Sequence, residues 1–287
     1  MAFYGTCKLW DYAWTECSLT KTIKAPDRVF GLAVMDQKLY VLRQRPDKQI
    51  YVYTADTYEL TDDYITLPGF SVKEEGWNDM TECEAEKCLF VSDFNRKCIL
   101  KVCLKGEPKV TKFADLPYPP KGLSITPDGA LLVSCDPDKL VELNVKTGEK
   151  VSELKMQSDI VFPKHAVKRR DKQYVVSYDV KDGLHRVCIV APDGYSRHCY
   201  GGTAGPGDLQ LHTPCYLELC ADDHVVVADN DNGRIVLLNS ALEFVRYLLD
   251  FHEPHRLFFD PAVGRLYVGE CTNGNVKVFQ VVYNMSR

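Results

Sequence analysis

The sequence YGGTAGPGDLQLHTPCYLELCADDHVVVADNDNGRIVLL, residues Tyr200–Leu238, consists of short apolar segments separated by polar turns. Its glycine-rich loop leads through Pro214 into the segment Tyr216–Cys220. The apolar run Val225–Ala228 follows, and a turn rich in Asp and Asn connects it to Ile235–Leu238. Gly, Asn and Asp are favoured in such turns because they accept positive φ angles or cap the turn. The stretch therefore predicts three consecutive strands joined by turns.

Weaker copies of this unit run along the rest of the chain at a spacing of roughly 45 residues. The second strand of each copy is an apolar run centred on Tyr40, Phe90, Leu132, Val175, Val226 and Tyr267. A proline precedes the first strand in five copies, at Pro26, Pro120, Pro163, Pro214 and Pro254. The apolar runs are continuous rather than alternating, which is typical of strands buried on both faces. Four-stranded units of this length are typical of β-propeller blades.

We therefore predict an all-β fold, a six-bladed β-propeller with four-stranded antiparallel blades, that forms a single domain over residues 1–287. The sixth copy has only three strands, and a spare extended segment at residues 18–24 precedes the first copy. Pairing of this N-terminal segment with the last blade would close the ring and remove an exposed sheet edge. The predicted blades are approximately residues 27–70, 77–118, 120–157, 162–211, 213–251 and 253–282.

The first quoted stretch resembles the NHL repeat, which has a glycine-rich loop, a proline, a short strand, an apolar strand ending in Ala-Asp, and then Asn-x-Arg-Ile. Here these elements are Gly201–Gly207, Pro214, Val225–Asp229 and Asn232–Ile235. The second and sixth copies match the pattern in part, and the other three match it weakly. With these copies included, the resemblance to NHL-type propellers covers residues 17–282.

The resemblance implies two classes of function. In tripartite-motif ubiquitin ligases, the C-terminal NHL domain is a substrate-recognition module that binds protein or structured RNA through one face. The peptidyl-amidoglycolate lyase of peptide amidation is also similar, and it holds zinc with histidines in its central channel. Related six-bladed propellers include calcium-dependent lactonases. The chain is thus expected to be a non-enzymatic recognition module or, alternatively, a metal-dependent small-molecule enzyme, since fold alone does not decide function.

A ligand is expected at the mouth of the central channel, where the loops leading into the inner strands gather with the turns between the second and third strands. The inner ring of this face is more basic than the whole chain, which suits an anionic ligand such as an acidic peptide or an RNA backbone. Solvated charges paired with acidic neighbours are the plain alternative. The candidate ligand-binding residues are Arg28, Lys121, Lys164, His165, Tyr178, Tyr216, Arg234, His255 and Arg256.

The enzyme alternative would use a metal, for which His165, His255 and Asp79 are the candidate ligands. The lyase resemblance would want a third histidine near Asp79, so the aspartate departs from that pattern. The sequence contains no Gly-x-Ser-x-Gly, P-loop or His-Glu-x-x-His motif. Whether the chain is an enzyme stays open, but this search favours a binding module without a cofactor.

Net charge, apolar runs and cysteine content limit which partners and which cellular compartment are expected. The net charge of −5 argues against bulk polyanion binding, and no apolar run approaches the roughly 18 residues of a membrane span. We expect a protein or RNA partner, no membrane, and a cytoplasmic location, with the oligomeric state open. Most of the 12 cysteines lie in apolar strands and are expected to be reduced core thiols. A metal site at Cys83, Cys88, Cys98 and Cys103 is the alternative.

Overall fold

The computed structural model describes residues 16–24, 28–43, 49–68, 78–180, 183–220 and 223–282. These residues form 24 strands in six antiparallel sheets of four strands each. Each inner strand packs beside the inner strand of the next sheet, and the sixth packs beside the first, so the sheets form a closed ring. The predicted fold class and number of blades are confirmed.

The strand bounds follow the chain, blade by blade. Blade 1 contains β2 (Val29–Met35), β3 (Lys38–Arg43), β4 (Gln49–Thr54) and β5 (Leu60–Thr66). Blade 2 contains β6 (Met80–Cys83), β7 (Cys88–Asp93), β8 (Cys98–Cys103) and β9 (Lys109–Asp115). Blade 3 contains β10 (Pro120–Ile125), β11 (Ala130–Cys135), β12 (Lys139–Asn144) and β13 (Lys150–Lys155).

Blades 4 to 6 repeat the same order. Blade 4 contains β14 (Pro163–Lys168), β15 (Tyr174–Asp179), β16 (Leu184–Val190) and β17 (Ser196–Thr203). Blade 5 contains β18 (Pro214–Leu219), β19 (Val225–Asp229), β20 (Arg234–Leu238) and β21 (Phe244–Asp250). Blade 6 contains β22 (Pro254–Asp260), β23 (Arg265–Glu270), β24 (Val276–Val282) and β1 (Glu16–Ile23).

The apolar core is divided among the interfaces between blades. Each of six hydrophobic clusters combines side chains of two neighbouring sheets, and the cluster around Val29, Leu39 and Val276 joins blade 1 to blade 6. Second strands such as Cys88–Asp93 are buried along their whole length because both of their faces meet a neighbouring blade. This arrangement explains the continuous apolar runs in the sequence.

The N-terminal strand β1 closes the ring, as the sequence predicts for residues 18–24. It pairs antiparallel with β24, from Glu16 opposite Val282 to Ile23 opposite Val276. The Ile23 side chain is buried in the cluster between blades 1 and 6. Strands from the two ends of the described chain therefore pair within blade 6, and this pairing closes the ring.

The cysteines depart from the expectation in one place. Cys188 and Cys199 lie opposite each other on β16 and β17 and form a disulfide, whereas nine other described cysteines are free thiols. Cys83, Cys88 and Cys103 are neighbours across β6, β7 and β8, but Cys98 pairs with Asp93 at the far end of β7. Within the described segments, no three His, Cys, Asp or Glu residues are placed to hold a metal ion. None of these segments is a helix able to cross a membrane.

Candidate functional site

The two faces of the ring differ in how the central channel ends. We call the face where the inner strands begin the channel-mouth face, and the face that carries the turns between first and second strands the opposite face. Below the channel mouth, Asp79, His165, Tyr216, His255 and Arg256 are all buried. We call these five side chains the channel plug.

Arg256 is the centre of the channel plug. Its Nε donates to the Phe30 carbonyl oxygen in blade 1 at 2.7 Å, and its Nη2 donates to the Asn78 carbonyl oxygen beside blade 2 at 2.8 Å. Its Nε lies 3.2 Å from Asp79 Oδ1. One guanidinium from blade 6 thus binds the inner walls of two other blades, using the several fixed N–H donors that only arginine offers.

The remaining plug residues continue the contacts around the ring. The Leu123 N–H of blade 3 donates to Asp79 Oδ2 at 2.8 Å, and His165 Nε2 lies 3.0 Å from the Leu123 carbonyl oxygen. The His165 ring stacks on Tyr216 with centroids 3.8 Å apart, and Tyr216 lies beneath the Arg256 guanidinium. Contacts therefore pass through all six blades. Gly122 permits this packing, because a Cβ there would lie 2.5 Å from the Lys164 carbonyl oxygen.

Burial sets the protonation of the channel plug. It raises the pKa of Asp79 to about 7, against the Arg256 guanidinium and two backbone N–H groups, which lower it. Burial lowers the pKa of His165 to about 3 and that of His255 well below its ordinary value, so both imidazoles are neutral at pH 7. At pH 7 the channel plug therefore combines the Arg256 guanidinium with a carboxyl group close to its titration midpoint and with neutral aromatic and imidazole rings.

The predicted basic ring is largely paired with acidic residues. Lys121 Nζ lies 2.7 Å from Asp136 Oδ1, and Lys164 Nζ lies 2.9 Å from Asp179 Oδ2. Arg28 is exposed at the mouth. Alternating cations and carboxylates thus line the rim, rather than a field of unpaired positive charge.

Tyr178 and Arg234 lie apart from the other predicted site residues. Tyr178 is fully buried between blades 3 and 4. Arg234 binds Asp229 Oδ2 at 2.7 Å, and its Nη atoms donate to the carbonyl oxygens of Pro206, Gly207 and Gln210. Arg234 therefore fastens the glycine-rich loop to blade 5. Whether any of the predicted residues contacts a ligand stays a prediction.

One exposed aromatic residue at the mouth escaped the sequence analysis. Phe162 precedes Pro163, is 47% exposed, and lies next to Lys121, whose Nζ is 5.6 Å from its ring centroid. Its φ of 55° is unusual for a bulky residue, but Thr213 and Glu253 adopt the same conformation before Pro214 and Pro254. Blades 4, 5 and 6 share this backbone conformation, and among these three blades only blade 4 has an aromatic residue at the position. This difference between the copies is visible in the sequence and could have identified Phe162.

A cavity of about 340 Å³ lies beneath the channel plug and is bounded towards the opposite face by Pro127 and Arg170. His165 and Tyr216 form its inner end. Glu82 and Glu218 line its wall. Both are acidic residues inside otherwise apolar inner strands, which is the signal that the sequence analysis passed over.

The zinc site implied by the lyase resemblance does not fit these residues. His165 Nε2 bonds a backbone carbonyl oxygen, and His255 Nδ1 does the same with Val29 at 3.0 Å. The other ring nitrogen of His255 is 3.2 Å from the Arg256 guanidinium, which also holds Asp79. A positive guanidinium among the candidate ligands opposes a second cation.

Comparisons with known proteins support the fold and go no further. No protein-family model and no curated protein matches the sequence. A virginiamycin B lyase structure from Staphylococcus aureus is similar, with TM-score 0.65 and 12% identity over 93% of this chain and 100% of that one. A protein of unknown function from Bacteroides thetaiotaomicron gives TM-score 0.69 and 13% identity over 93% and 72%. The Cps50 (Swd1) propeller domain from Myceliophteria thermophila gives 0.60 and 12% over 88% and 84%.

Proposed function

We propose that the chain is a recognition module that binds a protein ligand through its channel-mouth face, as the NHL domains of tripartite-motif ubiquitin ligases do. The observation that carries the proposal is Phe162, which is exposed on the channel-mouth face beside the Lys121–Asp136 ion pair. The buried channel plug lies below this face. An exposed aromatic anchor among paired charges is characteristic of surfaces that bind proteins.

The rim favours protein over RNA as the ligand. RNA binding depends on cations that neutralise phosphates and on aromatic rings free to stack on bases. Lys121 and Lys164 are already paired with Asp136 and Asp179. The two tyrosines among the candidate ligand-binding residues, Tyr178 and Tyr216, are buried and are not free to stack on bases. A protein surface of mixed charge complements alternating Lys and Asp better than a polyanion does.

We also propose that the protein is cytoplasmic. Nine free cysteines among the described residues are in keeping with a reducing compartment. The Cys188–Cys199 bond is the one feature that points the other way. Counting of thiols in protein purified from cells without a reductant tests this part, because secreted protein would retain that disulfide and cytoplasmic protein would not.

Site-specific photocrosslinking in cells tests the binding surface. A photoreactive phenylalanine analogue replaces Phe162 on the channel-mouth face or, as the matched control, Tyr195, which is 60% exposed in the β16–β17 turn on the opposite face. We expect a discrete protein adduct from position 162 and none from position 195. Arg28→Glu in the same chain should weaken that adduct. An adduct containing RNA, or equal labelling from both positions, would refute the proposal.

A further inference from the structure

The cavity on the inner side of the channel plug has the size and walls of a small-molecule site. Its volume of about 340 Å³ lies within the range of known ligand pockets, roughly 300–1,000 Å³. The partly exposed Ile125, Leu219 and Phe258 supply apolar surface, and Phe258 also presents an aromatic ring. The lining residues come from all six inner strands, so the cavity is preformed.

The polar groups in this cavity include two carboxyl groups without a basic partner. Glu82 lies on β6 and Glu218 on β18, and both line the cavity. In the described part of the chain, no Lys or Arg forms an ion pair with either of them. Lys168, at the mouth of the cavity, is bound instead to Glu142 at 2.8 Å and Asp128 at 3.2 Å. The two carboxyl groups are therefore left for a ligand.

His165 closes the inner end of the cavity with an electron-rich ring. Its Nε2 faces the Leu123 carbonyl oxygen, which can only accept, so Nε2 carries the proton and Nδ1 carries a lone pair. The side chain is 1% exposed, and Nδ1 has no hydrogen-bond donor among the described residues. A buried lone pair without a donor costs free energy, and a cation bound beside it would lower that cost.

The electrostatics of the cavity favour a cation. Burial, together with the nearby Glu84, Asp260 and Asp79, raises the pKa of Glu82 to about 8. Burial and then Glu82 raise the pKa of Glu218 well above its ordinary value. His165 is neutral, and Arg170 lies exposed at the cavity mouth. The empty cavity therefore keeps protons on its carboxyl groups, and a bound cation would take the place of one of them.

We propose that this cavity binds a small protonated amine with an apolar or aromatic body, whose ammonium group donates to Glu82 and Glu218 while its body packs on Phe258 and the aliphatic wall. An ammonium offers three N–H donors to acceptors, and its charge is stabilised by carboxylates and ring faces. The site is separate from the protein-binding face and does not depend on it.

Calorimetric titration with 2-phenylethylamine, and with the neutral 2-phenylethanol as the matched probe, tests the proposal. We expect the amine to bind with Kd below about 1 mM and the alcohol to bind at least tenfold more weakly. Titrations in buffers of different ionisation enthalpy should show release of a proton on amine binding. Affinity should rise from about pH 6 to about pH 8, because the proton on Glu82 must leave.

Variants locate the site. Glu218→Gln and Glu82→Gln should each reduce amine affinity at least tenfold, whereas Glu107→Gln, in an exposed turn, should leave it unchanged. Each change is isosteric, and unfolding curves of the variants will show whether they remain folded. The ratio of amine affinity to alcohol affinity is measured on the unaltered protein, so it tests the proposal without any variant. No amine binding up to about 10 mM, equal binding of the alcohol, or displacement of the amine by Mg²⁺ or Ca²⁺ would overturn the proposal.

Discussion

At the scale of single residues, Glu82 and Glu218 give the channel an ionisable wall that the repeat pattern does not require. The matching positions in other inner strands carry Ile125, Ser124 and Phe258, which do not titrate. A carboxyl group in such a place is stable when protonated. Its ionisation at higher pH must therefore weaken the folded state.

The pH dependence of stability should reveal Glu82. Its folded-state pKa is raised from 4.5 to about 8, so between these values the folded protein holds a proton that the unfolded chain releases. The free energy of unfolding should consequently fall as pH rises through this window, by up to about 1.4 kcal/mol per pH unit from this group. In urea unfolding at about pH 5.5, 6.5 and 7.5, Glu82→Gln should flatten that slope and Glu107→Gln should not. An unchanged slope in Glu82→Gln would contradict the assignment.

The residues at the channel mouth show what a sequence can and cannot predict at this scale. Repeat alignment correctly places Lys121 and Lys164 beside the mouth, because both follow the proline of an inner strand. It gives no indication that Arg256 reaches Phe30, which lies 226 positions away in the chain. Such contacts depend on the diameter of the closed ring, which local patterns do not encode.

At the scale of elements, Arg234 connects a strand to a loop. Within the Asn-x-Arg-Ile pattern its role is structural, since its guanidinium binds Asp229 and three carbonyl groups of the loop before β18 and stacks on Tyr247. The sequence predicted the strand and the turn on either side of this arginine correctly. The loop contacts could not be predicted, because a glycine-rich segment has no periodicity to follow.

Arg234→Lys should therefore loosen the glycine-rich loop. A lysine keeps the charge but loses the fork of donors, so we expect a loss of about 1–3 kcal/mol in the free energy of unfolding and faster proteolysis between residues 203 and 211. Arg197→Lys is the matched control, because Arg197 is exposed and its one ion pair among the described residues is with Asp193. Equal protease sensitivity of the two variants would show that the loop does not depend on Arg234.

At the scale of the whole molecule, the ring is completed by β1, and the sequence predicted this closure from a count of strands. The six-fold pattern of apolar runs was sufficient for the architecture, because each blade uses the same packing on both faces. Function was harder to predict from the sequence, because the six copies carry different side chains at the positions that meet in the channel.

Removal of β1 should disrupt the entire ring. We expect a chain lacking residues 1–24 to lose its cooperative thermal transition, since β24 and the cluster around Ile23 would be exposed. A milder pair of variants keeps the strand: Ile23→Ala should cost about 2–4 kcal/mol, and Leu19→Ala, at a site 54% exposed, should cost less than about 0.5 kcal/mol. Circular dichroism melting curves and urea titrations measure both. A truncated chain that melts like the full chain would show that the ring closes without β1.

The position of the channel plug affects how ligands could bind at the two ends of the channel. Arg256, bound to Phe30, Asn78 and Asp79, and His165, stacked on Tyr216, lie between the cavity and the channel-mouth face. A ligand in the cavity and a ligand on the channel-mouth face would therefore lie on opposite sides of these side chains. We expect the two ligands to bind in either order.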